Sequence, residues 1–297
     1  MRAASSIPTT FAEPHGWANR MAHFCRRGLG RCLVLIPLHR WNSPPDLPAG
    51  WRRKSRVRCC EALLPLGNLN LRLQGAPSEV LAAGLWLERE VTVAATLGRE
   101  VRRQPHLGAL DMRLIAGECL REILSGTSSL DAKFAALRLA AAALRQLPAV
   151  SVCEADGLSR TLSHGDATCN NVVVDRVAHS ATWIDFDTRH RTHLSAVDCL
   201  ANDLRTLLFS SAACLPERAD ADCVECVFGG YGDEAIVQSA KNYLLRQRGS
   251  TVFQIAQASL SFDRFHKLRR LIVSPGVPNC VGPTEFAAQK SATGSLP

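Results

Sequence analysis

The sequence lacks any apolar run long enough to cross a membrane as a helix. Such a helix needs about 20 mostly apolar residues, and no hydrophobic stretch in these 297 residues approaches that length. The apolar patch at residues 33–38 is too short to span, and it lies too far from the start for an ordinary signal peptide. We therefore expect a cytoplasmic protein with no transmembrane segment.

The sequence also lacks a regular cysteine framework, although it contains 12 cysteines. Only Cys223 and Cys226 have the Cys-x-x-Cys spacing of half a zinc site, and no second pair follows at a suitable distance. Scattered cysteines in a globular protein of this size are expected to be reduced and to pack as small apolar residues. The pattern disfavours a disulfide-rich secreted domain and a structural zinc site.

Acidic residues are scarce in the first 60 positions. Eleven Lys and Arg residues stand there against Glu13 and Asp46, a net charge of +9, whereas the whole chain carries +8. Several prolines and a glycine interrupt the end of this stretch. We expect residues 1–50 to be a basic, poorly ordered extension, either without a partner or in contact with an anionic surface, nucleic acid or an acidic protein.

The rest of the chain has the composition of a globular protein, with 46% hydrophobic and 21% charged residues, enough for one large or two small domains. Its chemistry-bearing residues concentrate between positions 164 and 187. This segment opens with the tripeptide His164-Gly165-Asp166 and carries Asn171 five positions after the aspartate. The tripeptide alone is a common turn, so its interpretation depends on the residues C-terminal to it.

A hairpin is predicted directly after this tripeptide. Residues 172–174 are valines and favour a buried strand, residues 175–180 favour a turn, and residues 181–184 favour an antiparallel return strand. Such a hairpin would place Asn171 and Asp185 side by side at its open end. An amide oxygen and a carboxylate are ligands that suit Mg²⁺, which keeps its other positions for water and phosphates.

The two motifs together resemble the catalytic and metal-binding segments of the protein-kinase-like superfamily. Its catalytic loop reads His-x-Asp-x-x-x-x-Asn, and its metal motif reads Asp-Phe-Gly in protein kinases. Gly165 stands where protein kinases usually carry Arg, and Asp187 stands where they carry Gly. Both departures favour the small-molecule branch, which includes aminoglycoside and choline phosphotransferases and the lipopolysaccharide-core sugar kinases.

The resemblance implies a role for each residue of these motifs. Asp166 would be the catalytic residue that accepts the proton of an acceptor hydroxyl, while Asn171 and Asp185 would bind Mg²⁺ and, through it, ATP. Three further residues would be structural: His164 as a packed scaffold residue, Asp203 as a brace of the catalytic loop, and Asp187 as a brace or second metal ligand. Outside the motifs, the sequence predicts solvent-exposed side chains for His190 and His193.

The N-terminal half is where the resemblance is weakest. A helix is predicted from a Ser78 cap to residue 97, and Glu90 is the one charged residue on its apolar face, which calls for a cationic partner. A strand predicted at residues 68–74 offers Arg72 as the cation that holds the nucleotide phosphates. Lys54 is the only earlier lysine, and it lies 36 positions before Glu90.

No Gly-x-Gly-x-x-Gly precedes Arg72, and Gly28 and Gly30 lie too far upstream, so no nucleotide-covering loop is identified. The resemblance nevertheless implies an α+β, two-lobed, protein-kinase-like fold, with a small, divergent, β-rich N-lobe and a mainly helical C-lobe. The N-lobe would comprise residues 51–124 and the catalytic C-lobe residues 125–273, followed by a flexible tail at 274–297. A helix over residues 129–147 is predicted to open the C-lobe.

The sequence leaves three functions open. The resemblance favours an ATP-dependent phosphotransferase that acts on a hydroxyl of a small molecule or sugar. A protein Ser/Thr kinase is disfavoured because no Ala-Pro-Glu motif follows Asp187 and Asp203 arrives only 16 positions later. A catalytically silent nucleotide-binding protein is suggested by the missing glycine loop, but the presence of Asp166, Asn171 and Asp185 argues against it.

Overall fold

The computed structural model describes residues 39–73, 75–153, 157–246 and 260–273. Most of the basic extension, Gly28, Gly30 and the C-terminal tail from residue 274 lie outside the described residues. The described part is a mixed α+β protein in which helices predominate and the strands form small sheets. None of its helices combines the length and apolar character that crossing a bilayer requires.

The elements follow one another along the chain in a mixed order. The strands are β1 (His39–Asn42), β2 (Trp51–Arg56), β3 (Ser78–Val80), β4 (Val101–Gln104), β5 (Ala109–Arg113), β6 (Glu118–Cys119), β7 (Ser151–Cys153), β8 (Ser159–Thr161), β9 (Val172–Asp175), β10 (Ser180–Trp183) and β11 (Thr188–His190). The helices are α1 (Arg58–Leu73), α2 (Ala83–Thr96), α3 (Leu120–Ser125), α4 (Leu130–Gln146), α5 (Ala196–Ala212), α6 (Asp220–Tyr231), α7 (Glu234–Arg246) and α8 (Phe262–Val273).

The largest sheet is antiparallel and has the strand order β1-β2-β5-β4. Its buried Leu110 belongs to a small apolar cluster with Leu81 and with Trp86 and Leu87 of α2. Burial of this apolar surface is what fixes α2 against the sheet. As a result the fully buried side chain of Lys54 on β2 lies beside the helix that carries Glu90.

Strand β1 lies inside the segment for which the sequence predicted a poorly ordered extension. His39 pairs with Arg56 and Asn42 with Arg53, so β1 is bonded along its length to β2. The residues expected to break regular structure fall in the loop between these strands: Pro44, Pro45, Pro48 and Gly50. Antiparallel pairing satisfies backbone donors and acceptors, a contribution that composition alone does not reveal.

The strand predicted at residues 68–74 is wrong, because residues 58–73 form helix α1. The leucines near its end alternate as in a strand, but they also recur at helical spacing, and a short apolar run cannot distinguish the two. Asn68 lies on this helix and its carboxamide both donates to the Val80 carbonyl (2.8 Å) and accepts from the Val80 N–H (2.9 Å). Arg72 is exposed in the last turn.

The helix predicted from Ser78 begins later than expected. Ser78 belongs to β3, which pairs with β11, and helix α2 starts at Ala83 with Ala82 as its N-cap. The Ser78 hydroxyl therefore has no capping role, because the backbone here satisfies its polar groups through a sheet. Glu90 remains on the buried side of α2, as the apolar periodicity predicted.

The helical part of the molecule contains the main core. The helix predicted at residues 129–147 is confirmed as α4, and the Ser129 hydroxyl accepts from the Ala132 N–H (3.3 Å). Helix α5 is buried along most of its length. The predicted hairpin is also confirmed, with Val172 opposite Trp183 and Asp175 opposite Ser180. Its turn is closed by the Asp175 carboxylate, which accepts from two backbone N–H groups.

Candidate functional site

Helix α5 holds the loop at His164-Gly165-Asp166 in place through Asp203. The buried carboxylate of Asp203 accepts from the backbone N–H groups of His164 (2.7 Å) and Gly165 (2.9 Å). Burial raises the pKa of Asp203 to about 7, although these two donors pull it down. Asp203 thus orders the loop through its backbone and has no exposed surface for a ligand.

Gly165 has a conformation and an environment that exclude a side chain. Its φ is +84°, and a Cβ there would lie 2.9 Å from the Thr188 carbonyl oxygen and 3.0 Å from the Arg189 Cα. The left-handed backbone favours glycine, and the close approach of β11 requires it. The catalytic-loop candidate is therefore packed directly against the backbone of β11.

His164 is enclosed between aromatic side chains. Its ring lies 4.6 Å from that of Phe186 and 5.2 Å from that of Trp183. Burial lowers its pKa to about 4, so the ring is neutral near pH 7. The ring then donates from Nε2 to the Ile184 carbonyl (2.8 Å), and Nδ1 accepts the Asp166 N–H (3.3 Å). These contacts tie the loop to the hairpin.

Asn171 and Asp166 contact each other directly. The Asn171 amide nitrogen donates to the Asp166 carbonyl (2.9 Å) and to its carboxylate (3.0 Å). Burial and the nearby charge of Asp185 raise the pKa of Asp166 to about 6, against the effect of the Asn171 hydrogen bond. A carboxylate with this pKa can take up a proton near neutral pH, as a general base requires.

Asp185 lies at the open end of the hairpin. The Ile184 N–H donates to the Asn171 carbonyl (2.8 Å), which places Asn171 beside the residue that precedes Asp185. The backbone at Asp185 is left-handed (φ 68°), a conformation that aspartate tolerates better than most residues. Its carboxylate accepts a hydrogen bond from Lys54.

Lys54 links helix α2 to the end of the β9–β10 hairpin. Its ammonium group donates to Glu90 on α2 as well as to Asp185. Burial opposes the charge on this lysine, but the two carboxylates outweigh it and raise the Lys54 pKa. Burial also opposes the charge on Asp185, and Lys54 reverses the effect and lowers the Asp185 pKa. Both groups are therefore charged near pH 7.

Asp187 forms a cluster with Asp185 and His39, whose ligand atoms all lie within 4.8 Å of one another. Arg56 donates to His39 Nε2 (3.2 Å), and burial lowers the His39 pKa to about 3. The neutral ring therefore carries its proton on Nδ1, which lies 3.6 Å from an Asp187 oxygen. In this tautomer His39 cannot donate a lone pair to a metal through Nδ1, and it faces Asp187 as a polar neighbour.

The remaining donors of the cluster are oxygens. Burial and the charge of Asp185 raise the Asp187 pKa to about 8, although the charge of Lys54 opposes the shift. The carboxylates of Asp185 and Asp187 match the ligand preference of Mg²⁺. These residues fit a magnesium ion better than a transition metal.

Two expectations for individual residues are wrong. Arg72 does not meet Glu90, because it lies in the last turn of a helix and the partner of Glu90 is Lys54. His190 is buried rather than solvated, with Ser163 Oγ 2.9 Å from Nδ1 and Asn202 Nδ2 3.1 Å from Nε2. His193 is exposed, as predicted.

The sequence reasoning missed Lys54 and His39 as members of the site. One available signal for Lys54 was its position as the only lysine before Glu90, whereas nothing in the sequence marked His39. The comparisons with known proteins add no assignment: no protein-family model matches the chain, and no sufficiently similar protein was found among curated sequences.

Proposed function

We propose that this chain is an ATP-dependent phosphotransferase that moves the γ-phosphate to a hydroxyl of a small molecule or sugar, on a two-lobed, protein-kinase-like fold. The observation that carries the proposal is the position of Lys54, whose ammonium group contacts both Glu90 and Asp185. In phosphotransferases of this type a lysine–glutamate pair holds the lysine for the nucleotide phosphates, beside an aspartate that binds the metal.

Each remaining residue has a role in this chemistry. Asn171 and Asp185, with Asp187, would hold Mg²⁺, which supplies charge neutralisation for the nucleotide phosphates. Lys54 binds phosphate oxygens. Asp166 orients the acceptor hydroxyl and accepts its proton as the new oxygen–phosphorus bond forms and the bond from the γ-phosphorus to the leaving ADP breaks. Little covalent chemistry is required of the protein, so positioning of these groups dominates.

The geometry favours a small acceptor over a protein acceptor. Directly after Asp187 the chain enters β11, whose backbone is paired with β3, and helix α5 begins at Ala196. The described residues therefore contain no long segment between Asp187 and Asp203 that could receive an extended peptide. The charged, buried Lys54 and the proton-accepting Asp166 support an active enzyme rather than a silent nucleotide-binding protein.

Two substitutions test the proposal. Asp166→Asn keeps the size of the side chain but removes its proton-accepting oxygen, so ATP affinity should stay nearly constant. Turnover should fall by about 10²–10⁴-fold, the range for a positioned acid–base group. Asp185→Ala should abolish Mg²⁺-dependent ATP binding with the fold retained. The measurements are nucleotide affinity with and without Mg²⁺ and phosphate transfer to a panel of hydroxyl compounds.

Asp222→Asn, an exposed carboxylate on α6, is the matched control and should change neither quantity. Equal turnover in the wild type and Asp166→Asn would remove Asp166 from the catalytic role. Unchanged Mg²⁺ dependence in Asp185→Ala would remove the metal assignment. ATP binding without transfer to any hydroxyl compound would support the silent nucleotide-binding alternative.

A further inference from the structure

Two cysteine side chains meet where the candidate catalytic loop contacts the end of helix α5. Cys169 lies in the loop, between Asp166 and Asn171, and Cys214 lies in the turn that follows α5. Their sulfur atoms are 3.8 Å apart, and either thiol can donate a hydrogen bond to the other. Neither thiol has a role in the proposed phosphate transfer, so the pair is a feature of its own beside the catalytic residues.

Cys169 ties the loop to α5 through both its backbone and its side chain. The Cys169 N–H donates to the Ser210 hydroxyl (3.0 Å), and the Cys169 thiol lies 3.4 Å from the Ser210 carbonyl oxygen. The Cys169 carbonyl accepts from the Arg121 N–H (3.0 Å). The position of this buried residue is therefore defined at several atoms, and a change at its sulfur is transmitted to the loop.

Cys214 is the more accessible of the two cysteines. It is half-buried, whereas Cys169 is only 2% exposed. The hydrogen bond from Cys169 and the positive charge of Arg121 lower the pKa of the Cys214 thiol, although partial burial opposes the shift. The thiolate is the reactive form of cysteine, and redox-sensitive cysteines are typically accessible thiols of low pKa beside a second thiol. Cys214 and Cys169 have this arrangement.

We propose that Cys169 and Cys214 form a reversible disulfide, which displaces the candidate catalytic loop and lowers phosphate transfer. The oxidant is a hydroperoxide, which reaches the half-buried Cys214 first. Formation of the disulfide is independent of the proposed function, whereas its effect on phosphate transfer rests on that function.

With hydrogen peroxide as the hydroperoxide, the oxidation has two steps. The Cys214 thiolate attacks one peroxide oxygen, so a sulfur–oxygen bond forms, the oxygen–oxygen bond breaks, and the leaving hydroxide takes up the proton of the Cys214 thiol to give water. The Cys169 sulfur then attacks the sulfur of the Cys214 sulfenic acid. The sulfur–sulfur bond forms, the sulfur–oxygen bond breaks, and the leaving hydroxide takes the Cys169 proton as a second water. A dithiol reductant reverses the oxidation by thiol–disulfide exchange.

Formation of the bond requires the two sulfur atoms to move closer together. They lie 3.8 Å apart, and a disulfide holds them at about 2.0 Å, so they must approach by about 1.8 Å. The bond also removes the thiol proton that faces the Ser210 carbonyl. Asp166 and Asn171, which bond to each other (3.0 Å), flank Cys169 in the same loop, so the movement reaches both. A displacement of about 1 Å can lower the rate by about 10²-fold.

The experiment treats the reduced full chain with hydrogen peroxide, alkylates the remaining thiols and identifies disulfides by mass spectrometry after trypsin digestion. Cleavage after Lys and Arg leaves Cys169 in the peptide 161–176 and Cys214 in the peptide 206–218, each as the only cysteine of its peptide. We expect these two peptides to be linked after oxidation and separate after treatment with dithiothreitol. Phosphate transfer should fall by about 10²-fold on oxidation and return with dithiothreitol.

Cys214→Ser and Cys169→Ser each remove one sulfur with little change in size. Neither variant should give the linked peptide, and one of them keeps the test valid if the other does not fold. Cys214→Ser should also keep its phosphate transfer after peroxide treatment. Cys153→Ser, which replaces an exposed cysteine on β7, is the matched control and should form the linked peptide as the wild type does.

Absence of the linked peptide in the oxidised wild type would overturn the proposal. So would a link from Cys169 to Cys119, whose sulfur lies 3.5 Å from the Cys169 carbonyl oxygen. Unchanged phosphate transfer in the linked protein, or the same loss on oxidation in Cys214→Ser, would overturn the effect on the loop.

Failure of the proposed function gives a different result: the two peptides are linked, but the reduced protein transfers no phosphate. Hydrogen exchange then tests the displacement of the loop without any activity. Faster exchange of the backbone N–H groups of residues 164–171 in the oxidised protein would support the displacement, and unchanged exchange would overturn it.

Discussion

The two sides of the candidate site are built in different ways. On one side, the loop at residues 164–171 and the adjoining hairpin form a continuous stretch, and Asp203 supports it from the next helix. On the other side, Lys54 contacts Glu90, although helix α1 and strand β3 lie between the two residues in the sequence. It also contacts Asp185, which lies 131 positions later in the chain. Residues at fixed spacing in one segment can be recognised in a sequence, whereas a cation positioned by sheet and helix packing cannot.

The two sides also differ in the direction in which they shift the pKa of a carboxylate. Asp185 lies against Lys54, which lowers its pKa despite burial. Asp166 has an amide rather than a cation as its neighbour, and burial raises its pKa to about 6. Environments that separate the pKa values of two carboxylates assign them to different tasks: here one remains a charged ligand, and the other can accept a proton.

The largest effect on stability is expected from replacing Lys54, the lysine that contacts Glu90 and Asp185. Lys54→Met leaves the buried carboxylate of Glu90 and the partly buried carboxylate of Asp185 without their cation, and breaking a buried ion pair in this way costs about 3–5 kcal/mol. Unfolding in denaturant measures the loss. Lys133→Met is the matched control, because Lys133 is also buried but donates to the Gly126 carbonyl (2.7 Å) and pairs with no carboxylate of the described residues; its cost should be clearly smaller.

The double variant Lys54→Met/Glu90→Gln sharpens this result. Removing the charge of Glu90 should recover part of the lost stability, because one of the two uncompensated carboxylates is then neutral. A loss in Lys54→Met no larger than in Lys133→Met would contradict the contacts on which the proposed nucleotide site depends.

A smaller effect on stability is expected from replacing Asp203, whose carboxylate holds the loop at His164 and Gly165. Asp203→Asn replaces one acceptor oxygen by an amide that faces a backbone N–H, so one strong hydrogen bond is lost. We expect a decrease of about 1.5–3 kcal/mol in the free energy of unfolding at pH 8, the range for hydrogen bonds to charged groups. Asp198→Asn, an exposed carboxylate on the same helix, should lose less. Equal stability losses in the two variants would show that Asp203 does not order the loop.

The smallest effect is a loss of stability at acidic pH that comes from the buried His190. Burial lowers the His190 pKa to about 3, below its value in the unfolded chain, so the unfolded state binds the proton more readily at intermediate pH. The stability contributed by neutral His190 is therefore present above about pH 6.5 and is lost as the pH falls towards 3. At pH 5 the loss is about 2 kcal/mol, since one pH unit corresponds to about 1.4 kcal/mol.

His190→Gln removes this titration. Its free energy of unfolding should fall less steeply than that of the wild type between pH 6.5 and 4, as measured in denaturant at each pH. His193→Gln changes an exposed histidine three positions away and should follow the wild-type profile. Parallel profiles for His190→Gln and the wild type would mean that His190 can be protonated in the folded protein.

Part of the fold was predictable from local pattern. The hairpin of β9 and β10 follows from short apolar runs on either side of a polar turn, and helix α4 follows from a serine cap and apolar residues at helical spacing. These patterns act between residues close in the chain, so a window of about ten to twenty positions contains them. The roles of Asp166, Asn171 and Asp185 stay predictions, but their proximity follows from the hairpin.

The sequence by itself determined the order and spacing of the oxygen-bearing residues and the elements that carry them. The tertiary structure decided which cation meets Glu90, placing Lys54 there and leaving Arg72 exposed in the last turn of α1. It also placed β1 in the sheet, His39 beside Asp187, and His190 in the interior. These outcomes depend on which distant surfaces bury each other, and an apolar run or a lone charge does not specify its partner until the chain has packed.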